Sequence, residues 1–430
     1  MTGVRALLLT HGTRGDVQPF LALARALEAA GHTGVVAGPA SAAPLAAGYG
    51  VAYRPVDDGP NALMGDPELD GVRETGLRGL RGAVHTAALL RRITPLMRRV
   101  HEDMAGVADE RADVVVHIPG MPGGHIAEHL GAPSVPVALQ PSWVPTRAFP
   151  APGVPWPRWM PGALNPLTYR LTALALRGQR AVAEEFRDRL GLPRRDGRHD
   201  PLRQPDGSPS TVLQAFSRHL LPPRTHYPPR VRTTGFWFPP PDTGWRPSPE
   251  LESFLDAGSP PVFVGFSSLP TSDPAATGRV VGEAVRRAGV RAVVASGRGG
   301  ITAGTGGDDV LVIDGAPHER LFPRCSAVVH HGGAGTTGAA LASGRPQVVC
   351  PFWGDQPFWA ERAHAAGAAL APLRGQRLTA DALAPALARA AGDPALAERA
   401  RGLGGRVRAE DGTGAAVRLL EEVVARRGGS

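Results

Sequence analysis

The sequence predicts an α/β fold made of two doubly wound parallel sheets, each in its own domain. Short apolar runs, about as long as a buried strand, alternate along the chain with segments of helical periodicity. Strands that alternate with helices form parallel sheets with helices on both faces. The alternation stops in a proline-rich segment at residues 239–249 and restarts after it. Each half of the 430-residue chain is therefore long enough for a core of its own.

The first half repeats the order of strand, turn, helix and strand. An apolar run at residues 4–10 predicts a buried strand, and a glycine-containing turn follows it at residues 11–16. Apolar periodicity then predicts a helix from about residue 18 to residue 30. The further elements expected in this half are strands at 33–37, 113–118, 134–139, 211–216 and 231–237, helices at 72–104, 123–130 and 167–190, and a proline- and tryptophan-rich loop at 141–166.

The second half continues the same alternation after the proline-rich segment. Its expected elements are strands at 262–266, 292–296, 310–314, 327–331 and 347–351, a helix at 274–288 and several closing helices. The predicted domains are a first domain at 1–238, a linker at 239–250, a second domain at 251–410, and a closing helix at 411–430 that packs back on the first domain. Ligands bind outside the carboxyl ends of strands in such sheets, so two sheets facing each other predict a cleft between the domains.

The composition excludes several kinds of chemistry. All 47 basic residues are arginine, because the sequence contains no lysine. A Schiff-base lysine, a pyridoxal phosphate aldimine and a P-loop lysine are therefore excluded. A bound phosphate must be held by arginine, histidine, hydroxyl groups or backbone N–H groups.

The net charge and the cysteine content indicate which binding partners and which cellular compartment to expect. The formal net charge is +8, but the arginines are scattered, so we expect no nucleic-acid partner. Contact with an anionic membrane surface through the arginines between residues 73 and 99 stays open. The chain has only two cysteines, which make no disulfide framework. Because we find neither a signal-peptide pattern nor an apolar run of about 18 residues, we expect a cytoplasmic protein that spans no membrane.

The segment with the most specific pattern reads His-His-Gly-Gly-Ala-Gly-Thr-Thr-Gly and starts at His330. It follows a predicted strand and opens a predicted helix, and it contains the Gly-x-Gly-x-x-Gly spacing of dinucleotide-binding turns. Free N–H groups at a helix start, with two threonine hydroxyls and a histidine, suit any diphosphate. The position late in the chain argues against NAD. A turn that merely packs its helix tightly is the alternative.

Asp355 and Gln356 follow the next predicted strand and so lie at the same edge of the sheet. A carboxylate beside an amide suits sugar hydroxyls, which need an acceptor and a group that both donates and accepts. Taken alone, the pair is equally compatible with a helix N-cap. The histidine and glycine turn upstream favours a sugar site next to a diphosphate site.

These two segments, together with Gly-Thr-Arg-Gly-Asp-Val-Gln-Pro at residues 12–19, resemble the GT-B-fold nucleotide-sugar glycosyltransferases. The closest branch is that of the sterol 3-β-glucosyltransferases and the bacterial antibiotic glycosyltransferases. The resemblance covers the whole chain, and the three motifs occur in the family's order. It implies two Rossmann-like domains, an acceptor-binding domain at 1–238 and a donor-binding domain at 251–410. It also implies a nucleotide-linked sugar, UDP or dTDP, as co-substrate, with no separate cofactor.

The resemblance also implies roles for individual residues of the donor site. His331 would contact the diphosphate, while Asp355 and Gln356 would hold the sugar. The other residues that the resemblance assigns to the donor are Arg14, Ser267, Ser268, Pro317, His318, Gly333, Gly335, Thr336 and Thr337. Ser267 departs from the family, which usually has glycine there, and its side chain is expected to crowd the donor.

Two residues are candidates for the base that inverting transfer requires. Asp16 follows the first strand and matches the family position that holds a histidine in many relatives and an aspartate in the antibiotic branch. Its alternative role is the N-cap of the helix expected from residue 18. His11, at the strand end, is the rival base. No metal is predicted, because adjacent His330 and His331 point to opposite faces and no Asp-x-Asp pattern occurs.

The acceptor site is expected in the first domain, with apolar walls that suit a polyketide, macrolide, sterol-like or lipid molecule. The residues assigned to it are Trp143, Phe149, Trp156, Leu80 and Val84. The predicted function is thus inverting, metal-independent transfer of a hexose to a hydroxyl of a lipophilic acceptor. A GT-B sugar-nucleotide epimerase or hydrolase, and an NAD(P)-dependent oxidoreductase, stay open as alternatives.

Overall fold

The computed structural model describes residues 3–63, 79–157, 159–177, 180–194, 200–240, 244–266, 273–297 and 307–428, with the backbone alone at 62, 79–90, 175–177 and 428. The chain forms two compact units. The first contains Met1–Arg218, Pro222–Pro240 and Glu410–Ser430, and the second contains His219–Leu221 and Pro241–Ala409. Each has a parallel sheet with helices packed on it, which confirms the predicted class.

The first unit holds a seven-stranded sheet in the order β3-β2-β1-β4-β5-β6-β7, with every neighbouring pair parallel. Its strands are β1 Arg5–Leu9, β2 Thr33–Pro39, β3 Ala52–Val56, β4 Val114–His117, β5 Ser134–Ala138, β6 Val212–Gln214 and β7 Val231–Thr233. Among the described residues before the second unit, the α-helices are α1 Arg14–Ala29, α2 Ala43–Gly48, α3 Gly79–Val107, α4 Gly123–Leu130, α5 Pro166–Arg177 and α6 Arg180–Arg189.

The second unit holds a five-stranded parallel sheet in the order β10-β9-β8-β11-β12. Its strands are β8 Val262–Gly265, β9 Ala292–Ala295, β10 Val310–Ile313, β11 Ala327–His330 and β12 Gln347–Val349. The helices from here to the end of the chain are α7 Pro249–Asp256, α8 Pro274–Ala288, α9 His318–Leu321, α10 Ala334–Ser343, α11 Gln356–Ala365, α12 Ala380–Gly392, α13 Pro394–Arg408 and α14 Gly412–Gly428.

Helix α14 belongs to the first unit although it is last in sequence. Its buried Val417 and Leu420 join the same hydrophobic cluster as Phe20 and Leu21 of α1. The chain therefore returns to the first unit after completing the second.

Several elements differ from the expectation. Helix α1 begins at Arg14, four residues before the predicted start, because Thr13 caps it and Pro19 is accommodated inside it. Strand β3 was not predicted; it contains Pro55, which an edge strand tolerates because its outer side needs no N–H donor. The helix expected at 167–190 is described as two helices, α5 and α6.

The strand order places a candidate ligand crevice in each unit. The order reverses between β1 and β4 in the first unit, and between β8 and β11 in the second. At such a switch point the loops after the two strands diverge and leave a crevice at their carboxyl ends. The turn at residues 11–13 leaves the sheet at the first switch point, and the turn at residues 331–333 leaves it at the second.

Candidate functional site

Asp16 lies in the first turn of α1, where its carboxylate folds back onto the turn that follows β1. Its Oδ2 accepts hydrogen bonds from the Thr13 backbone N–H at 2.8 Å and from the Thr13 hydroxyl at 3.0 Å. The N-cap of the helix is Thr13 and not Asp16, so the alternative prediction that Asp16 is the N-cap is wrong. Asp16 instead forms the reciprocal half of a capping box, three residues into the helix.

The turn leaves little room around this carboxylate. Gly12 has a φ of +129°, and a Cβ at Gly12 would lie 2.4 Å from the Asp16 Oδ2. Burial raises the pKa of Asp16, and the two hydrogen bonds from Thr13 oppose that rise. Oδ1 receives no hydrogen bond from the part of the chain that the structure describes, so one lone-pair face of the carboxylate stays available.

His11 ends the same strand and is buried, with 8% of its surface exposed. Its Nε2 lies 3.1 Å from the Asp57 carbonyl oxygen, and because a carbonyl oxygen only accepts, Nε2 carries the proton. Nδ1 is then the basic nitrogen. Burial lowers the pKa of His11, which keeps the ring neutral near pH 7.

Arg14 is exposed at the start of α1, and its Nε donates to the Gln18 Oε1 at 3.1 Å. Gln18 in turn donates to the Tyr49 hydroxyl at 2.9 Å. This chain of hydrogen bonds directs Arg14 along its own helix. It does not bring Arg14 to the Asp16 carboxylate.

A residue that the sequence reasoning missed holds the same turn from outside. The Asn61 Nδ2 donates to the Gly12 carbonyl oxygen at 2.6 Å. Asn61 lies in the short helical segment Gly59–Leu63, 49 residues further along the chain. No sequence pattern links two residues at that separation, so only the fold reveals the contact.

In the second unit, the turn after β11 is shaped by His330 and Gly332. The His330 Nδ1 accepts from the Gly332 N–H at 3.1 Å, and its Nε2 lies 2.9 Å from the Gln347 Oε1. Gly332 has a φ of +93°, which favours glycine. Burial lowers the pKa of His330 to about 4, so it acts as a neutral structural residue that sets the turn.

His331 lies over the first residues of the following turn. A Cβ at Gly333 would lie 2.5 Å from its Nε2, so only glycine leaves room for the ring. Its Nδ1 is buried and has no hydrogen-bond partner among the described residues. Burial, with smaller contributions from His330 and His318, lowers the pKa of His331 to about 3. A buried neutral imidazole beside open backbone N–H groups is suited to receive an anion.

Helix α10 begins directly after this turn, with Gly333 as its N-cap. The Thr337 N–H bonds to the Gly333 carbonyl oxygen, so the N–H groups of the first turn before it point out of the helix end. Gly335 is exposed, and a Cβ there would meet nothing within 4 Å. Thr336 is half-buried, whereas the Thr337 hydroxyl is fully buried without a partner in the described chain.

Gln356 lies against this turn and positions the loop that carries Asp355. A Cβ at Gly332 would lie 3.1 Å from the Gln356 carbonyl oxygen, which brings the two motifs into contact. The Gln356 Oε1 accepts from the backbone N–H of Phe352 at 2.8 Å and of Trp353 at 3.3 Å. The Asp355 Oδ2 accepts from the indole N–H of Trp359 at 2.7 Å. Both predicted sugar residues therefore also support the local fold.

His318 opens the short helix α9, directly after Pro317. Its ring stacks on Phe322 with ring centroids 4.3 Å apart and an angle of 15° between the planes. The residue also contributes to the lowered pKa of His331. The structure therefore brings His318, His331 and Gln356 to one edge of the sheet.

The predicted acceptor residues differ from one another in burial and in hydrogen bonding. Trp143 and Trp156 are half-buried, and the Trp156 indole N–H has no partner among the described residues. Phe149 is buried, and its carbonyl oxygen accepts from the Tyr169 hydroxyl at 3.3 Å. The side chains of Leu80 and Val84, and residues Ser267 and Ser268, lie outside the described residues.

Two further properties concern metal binding and membrane spanning in the described part of the chain. No cluster of three or more histidine, cysteine, aspartate or glutamate side chains could hold a metal ion there. None of its helices combines the length and apolar character needed to cross a bilayer.

Two family models match the chain, one in each half. Residues 6–131 match the glycosyltransferase family 28 N-terminal domain. Residues 293–422 match the C-terminal domain of erythromycin biosynthesis protein CIII-like proteins. The turns that carry Asp16 and His331 lie inside these matches.

Individual relatives extend the similarity over nearly the whole chain. The O-mycaminosyltylonolide 6-deoxyallosyltransferase of Streptomyces fradiae is 38% identical over 97% of this chain and 97% of its own length. A sterol 3-beta-glucosyltransferase of Penicillium rubens is 34% identical over 97% of this chain, which spans only 30% of that relative's length.

A solved structure supports the fold. The glycosyltransferase VinC, solved in complex with dTDP, superimposes with a TM-score of 0.63 and 22% identity, covering 98% of this chain and all of that one. The similarity extends over both parallel-sheet units and so supports the GT-B fold that the motifs imply. From the family matches and the relative that is 38% identical over 97% of both chains, we conclude that this protein is a glycosyltransferase, a member of the family 28 and erythromycin CIII-like group with the GT-B fold.

Proposed function

We propose that this glycosyltransferase moves a hexose from a UDP- or dTDP-linked donor to a hydroxyl of a lipophilic natural-product or sterol-like acceptor, with inversion and without a metal ion. The acceptor class is carried over from the relatives, whose names specify O-mycaminosyltylonolide and sterols. The dTDP alternative is supported by the ligand of the fold relative VinC.

The observation that carries the donor proposal is the turn at residues 331–333 together with the start of α10 that follows it. Free N–H groups of its first turn and the positive end of its dipole attract a diphosphate. The His331 ring lies against Gly333, the N-cap of this helix, and its buried Nδ1 has no hydrogen-bond partner among the described residues. An arriving anion would supply the hydrogen-bond partner that this nitrogen lacks and would raise the pKa of the ring.

The base proposed for the reaction is Asp16. As the acceptor oxygen forms its bond to the anomeric carbon, the bond from that carbon to the diphosphate oxygen breaks. The acceptor proton passes to Asp16, and the bonding electrons leave with the diphosphate. A carboxylate whose pKa is raised by burial is a stronger base than an ordinary aspartate, which supports this role.

The proposed metal independence follows from the chemistry of the donor site. The leaving diphosphate gains negative charge, and the helix end, His331 and the threonine hydroxyls would stabilise it. We expect full activity in an excess of a chelator such as EDTA. A loss of activity that Mg²⁺ restores would refute this part of the proposal.

The decisive experiment compares Asp16→Asn with His11→Gln. Asparagine keeps the shape of the side chain but cannot take the proton, so we expect turnover to fall by at least about 10²-fold. Binding of UDP- or dTDP-glucose, measured by calorimetry, should stay unchanged. Because Asp16 also supports the helix start, circular dichroism must show that both variants are folded.

The outcomes separate the candidates. Near-normal turnover in Asp16→Asn, with a large loss in His11→Gln, would transfer the base role to His11. Release of free sugar and nucleotide without any acceptor requirement would instead indicate a hydrolase.

A further inference from the structure

The large apolar side chains that remain exposed are concentrated in one short segment of the first unit. Within the described chain seven such residues are exposed, and five of them lie between residues 159 and 174. They are Trp159 (80% exposed), Leu164 (37%), Leu167 (42%), Leu171 (52%) and Leu174 (53%). The four leucines are spaced three, four and three residues apart, which places them on one side of α5 and its preceding turn. We call this surface, residues 159–174, the leucine face.

The inner side of the same segment is polar. Thr168 and Tyr169 of α5 are buried at 0% and 3% exposure, and Asn165 just before the helix is buried at 6%. An ordinary surface helix turns its apolar stripe inward and its polar residues to water. This helix is reversed, so its orientation is not explained by burial of its leucines.

Hydrogen bonds hold the helix in this reversed orientation. The Asn165 Nδ2 donates to the Arg147 carbonyl oxygen at 2.9 Å. The Thr168 hydroxyl accepts from the Ala151 N–H at 2.8 Å and donates to the Asn165 carbonyl oxygen at 2.6 Å. Each of these bonds is satisfied only with the leucines facing outward. The leucine face is therefore a fixed feature of the fold.

The charged residues within this stretch of the sequence have one sign. Residues 131–183 contain five arginines and no aspartate or glutamate. The arginines are Arg147, Arg158, Arg170, Arg177 and Arg180. Arg147 and Arg170 are exposed, and neither forms an ion pair with the described residues. Arg180 pairs with Glu184 at 2.6 Å, which leaves Arg147 and Arg170 as the exposed cations of this segment among the described side chains. An apolar helix side accompanied by exposed cations is a pattern of helices that lie in the interface of an anionic membrane.

We propose that the leucine face docks this protein onto the surface of an anionic lipid bilayer, with α5 parallel to the membrane plane. The leucines and Trp159 would enter the boundary between headgroups and acyl chains, and the arginines would contact the lipid phosphates. This proposal goes beyond the transfer reaction and does not depend on it.

Two other occupants fit the surface less well. A second copy of the chain would bring the same arginines against one another with no acidic residue of this segment to oppose them. A small acceptor molecule needs a concave site, whereas exposed leucines along an outward helix side about 15 Å long offer a convex one.

The test is co-sedimentation of the full chain with vesicles of phosphatidylcholine, with and without phosphatidylglycerol. We expect binding to the anionic vesicles that weakens as salt is added. The double variant L171E/L174E should lose about tenfold or more in vesicle affinity, since it removes apolar area and adds repulsion. R147Q/R170Q should lose the preference for phosphatidylglycerol.

The matched control is A382E/A388E, which adds the same two charges at exposed positions of α12 in the other unit. It should bind anionic vesicles nearly as well as the unaltered protein. The proposal is overturned if the unaltered protein stays in the supernatant with anionic vesicles, or if L171E/L174E binds like the control.

Lipid-free measurements identify the rival occupants. Self-association in analytical ultracentrifugation that L171E/L174E abolishes would assign the face to a second copy. A higher acceptor KM for L171E/L174E without lipid would assign it to the acceptor site. Either result overturns the membrane proposal, while unchanged lipid-free turnover leaves the proposed reaction intact.

Discussion

The position of the Asp16 carboxylate depends on a residue far away in sequence. Asn61 holds the Gly12 carbonyl oxygen at 2.6 Å, and the Gly12 backbone lies directly against the Asp16 Oδ2. A base must be placed accurately to work well, because a misplacement of about 1 Å can lower the rate by on the order of 10²-fold. Asn61 is thus a positioning residue for the proposed base.

Asn61→Ala should lower kcat by about tenfold, because it frees the turn that carries Asp16. Donor binding to the second unit should stay unchanged. The matched control is Asn165→Ala, which removes the same kind of bond, from an asparagine Nδ2 to a distant backbone carbonyl, elsewhere in this unit. Steady-state kinetics on both variants checks this, and an equal loss of kcat in both would show a general effect on folding.

The acid limb of the pH dependence of kcat/KM provides a second test of the proposed role of Asp16 as the base. Since burial raises the pKa of this carboxyl above the ordinary value of 3.8, kcat/KM should fall with decreasing pH at an apparent pKa above that value. In Asn61→Ala the turn is looser and better hydrated, so the apparent pKa should move down toward the ordinary value. An acid limb that is identical in the variant would contradict the link between Asn61 and Asp16.

At the scale of single residues, the sequence identifies the residue types of the site but not their partners. The motif at 330–338 predicts an anion-binding turn. The structure brings His331, Gly332 and Gln356 together at this turn. The contact between Asn61 and Gly12 joins residues 49 positions apart and leaves no pattern. Local spacing predicts contacts within one turn or helix, whereas the long-range contacts arise only once the sheet is assembled.

At the scale of elements, α13 packs on α10, the helix that begins directly after the turn at residues 331–333. A Cβ at Gly404 of α13 would lie 2.5 Å from the Leu341 carbonyl oxygen of α10 and 2.9 Å from the Gly344 Cα. The two helices approach so closely that only glycine fits between them. A side chain at this position would push α10 away from its place at the end of β11.

Gly404→Ala should therefore lower the free energy of unfolding by about 2 kcal/mol, through overpacking. Gly402→Ala is the control on the same helix: it is exposed, and its Cβ would meet nothing within 4 Å. There the change should raise the stability by about 0.5–1 kcal/mol, because alanine favours the helix. Urea denaturation measures both effects, and equal shifts in the two variants would contradict the packing argument.

The elements that the sequence predicted best are those with a strong local signal. Apolar runs located eleven of the twelve strands in the described part of the chain, and the helix expected at 274–288 is α8 Pro274–Ala288. Strand β3 was missed because it lies at the sheet edge, where exposed residues and Pro55 are tolerated. The reversed helix α5 was recognised as a helix, but its outward leucines could not be predicted, since periodicity does not say which side is buried.

At the scale of the whole molecule, buried histidines recur at corresponding places in both units. His117 ends β4 and contacts the Ser134 hydroxyl at 2.9 Å, and His330 ends β11 and contacts Gln347 at 2.9 Å. In each unit the histidine joins the end of one strand to the start of its parallel neighbour. Both are fully buried, so they tie the sheets together only while they are neutral.

This arrangement predicts that the protein loses stability as the pH falls below about 6.5. Burial lowers the pKa of His101, His117 and His330 to about 4 and that of His331 to about 3. Above pH 6.5, the ordinary value, these rings are neutral in both the folded and the unfolded chain, and their stabilisation is complete. Between pH 6.5 and 4 the histidines of the unfolded chain bind protons, whereas the same histidines in the folded chain stay neutral. Each histidine then lowers the free energy of unfolding by up to about 1.4 kcal/mol per pH unit.

Urea denaturation between pH 7 and pH 5 tests this for a single ring. His330→Gln keeps a donor for Gln347 but cannot be protonated, so the slope of stability against pH should decrease by about one proton. Where the two units unfold in separate transitions, the change should appear in the transition of the second unit, which contains His330. His226→Gln, at an exposed position, is the control for the histidine-to-glutamine change itself. An unchanged slope in His330→Gln would mean that the folded protein accommodates a charged ring at this position.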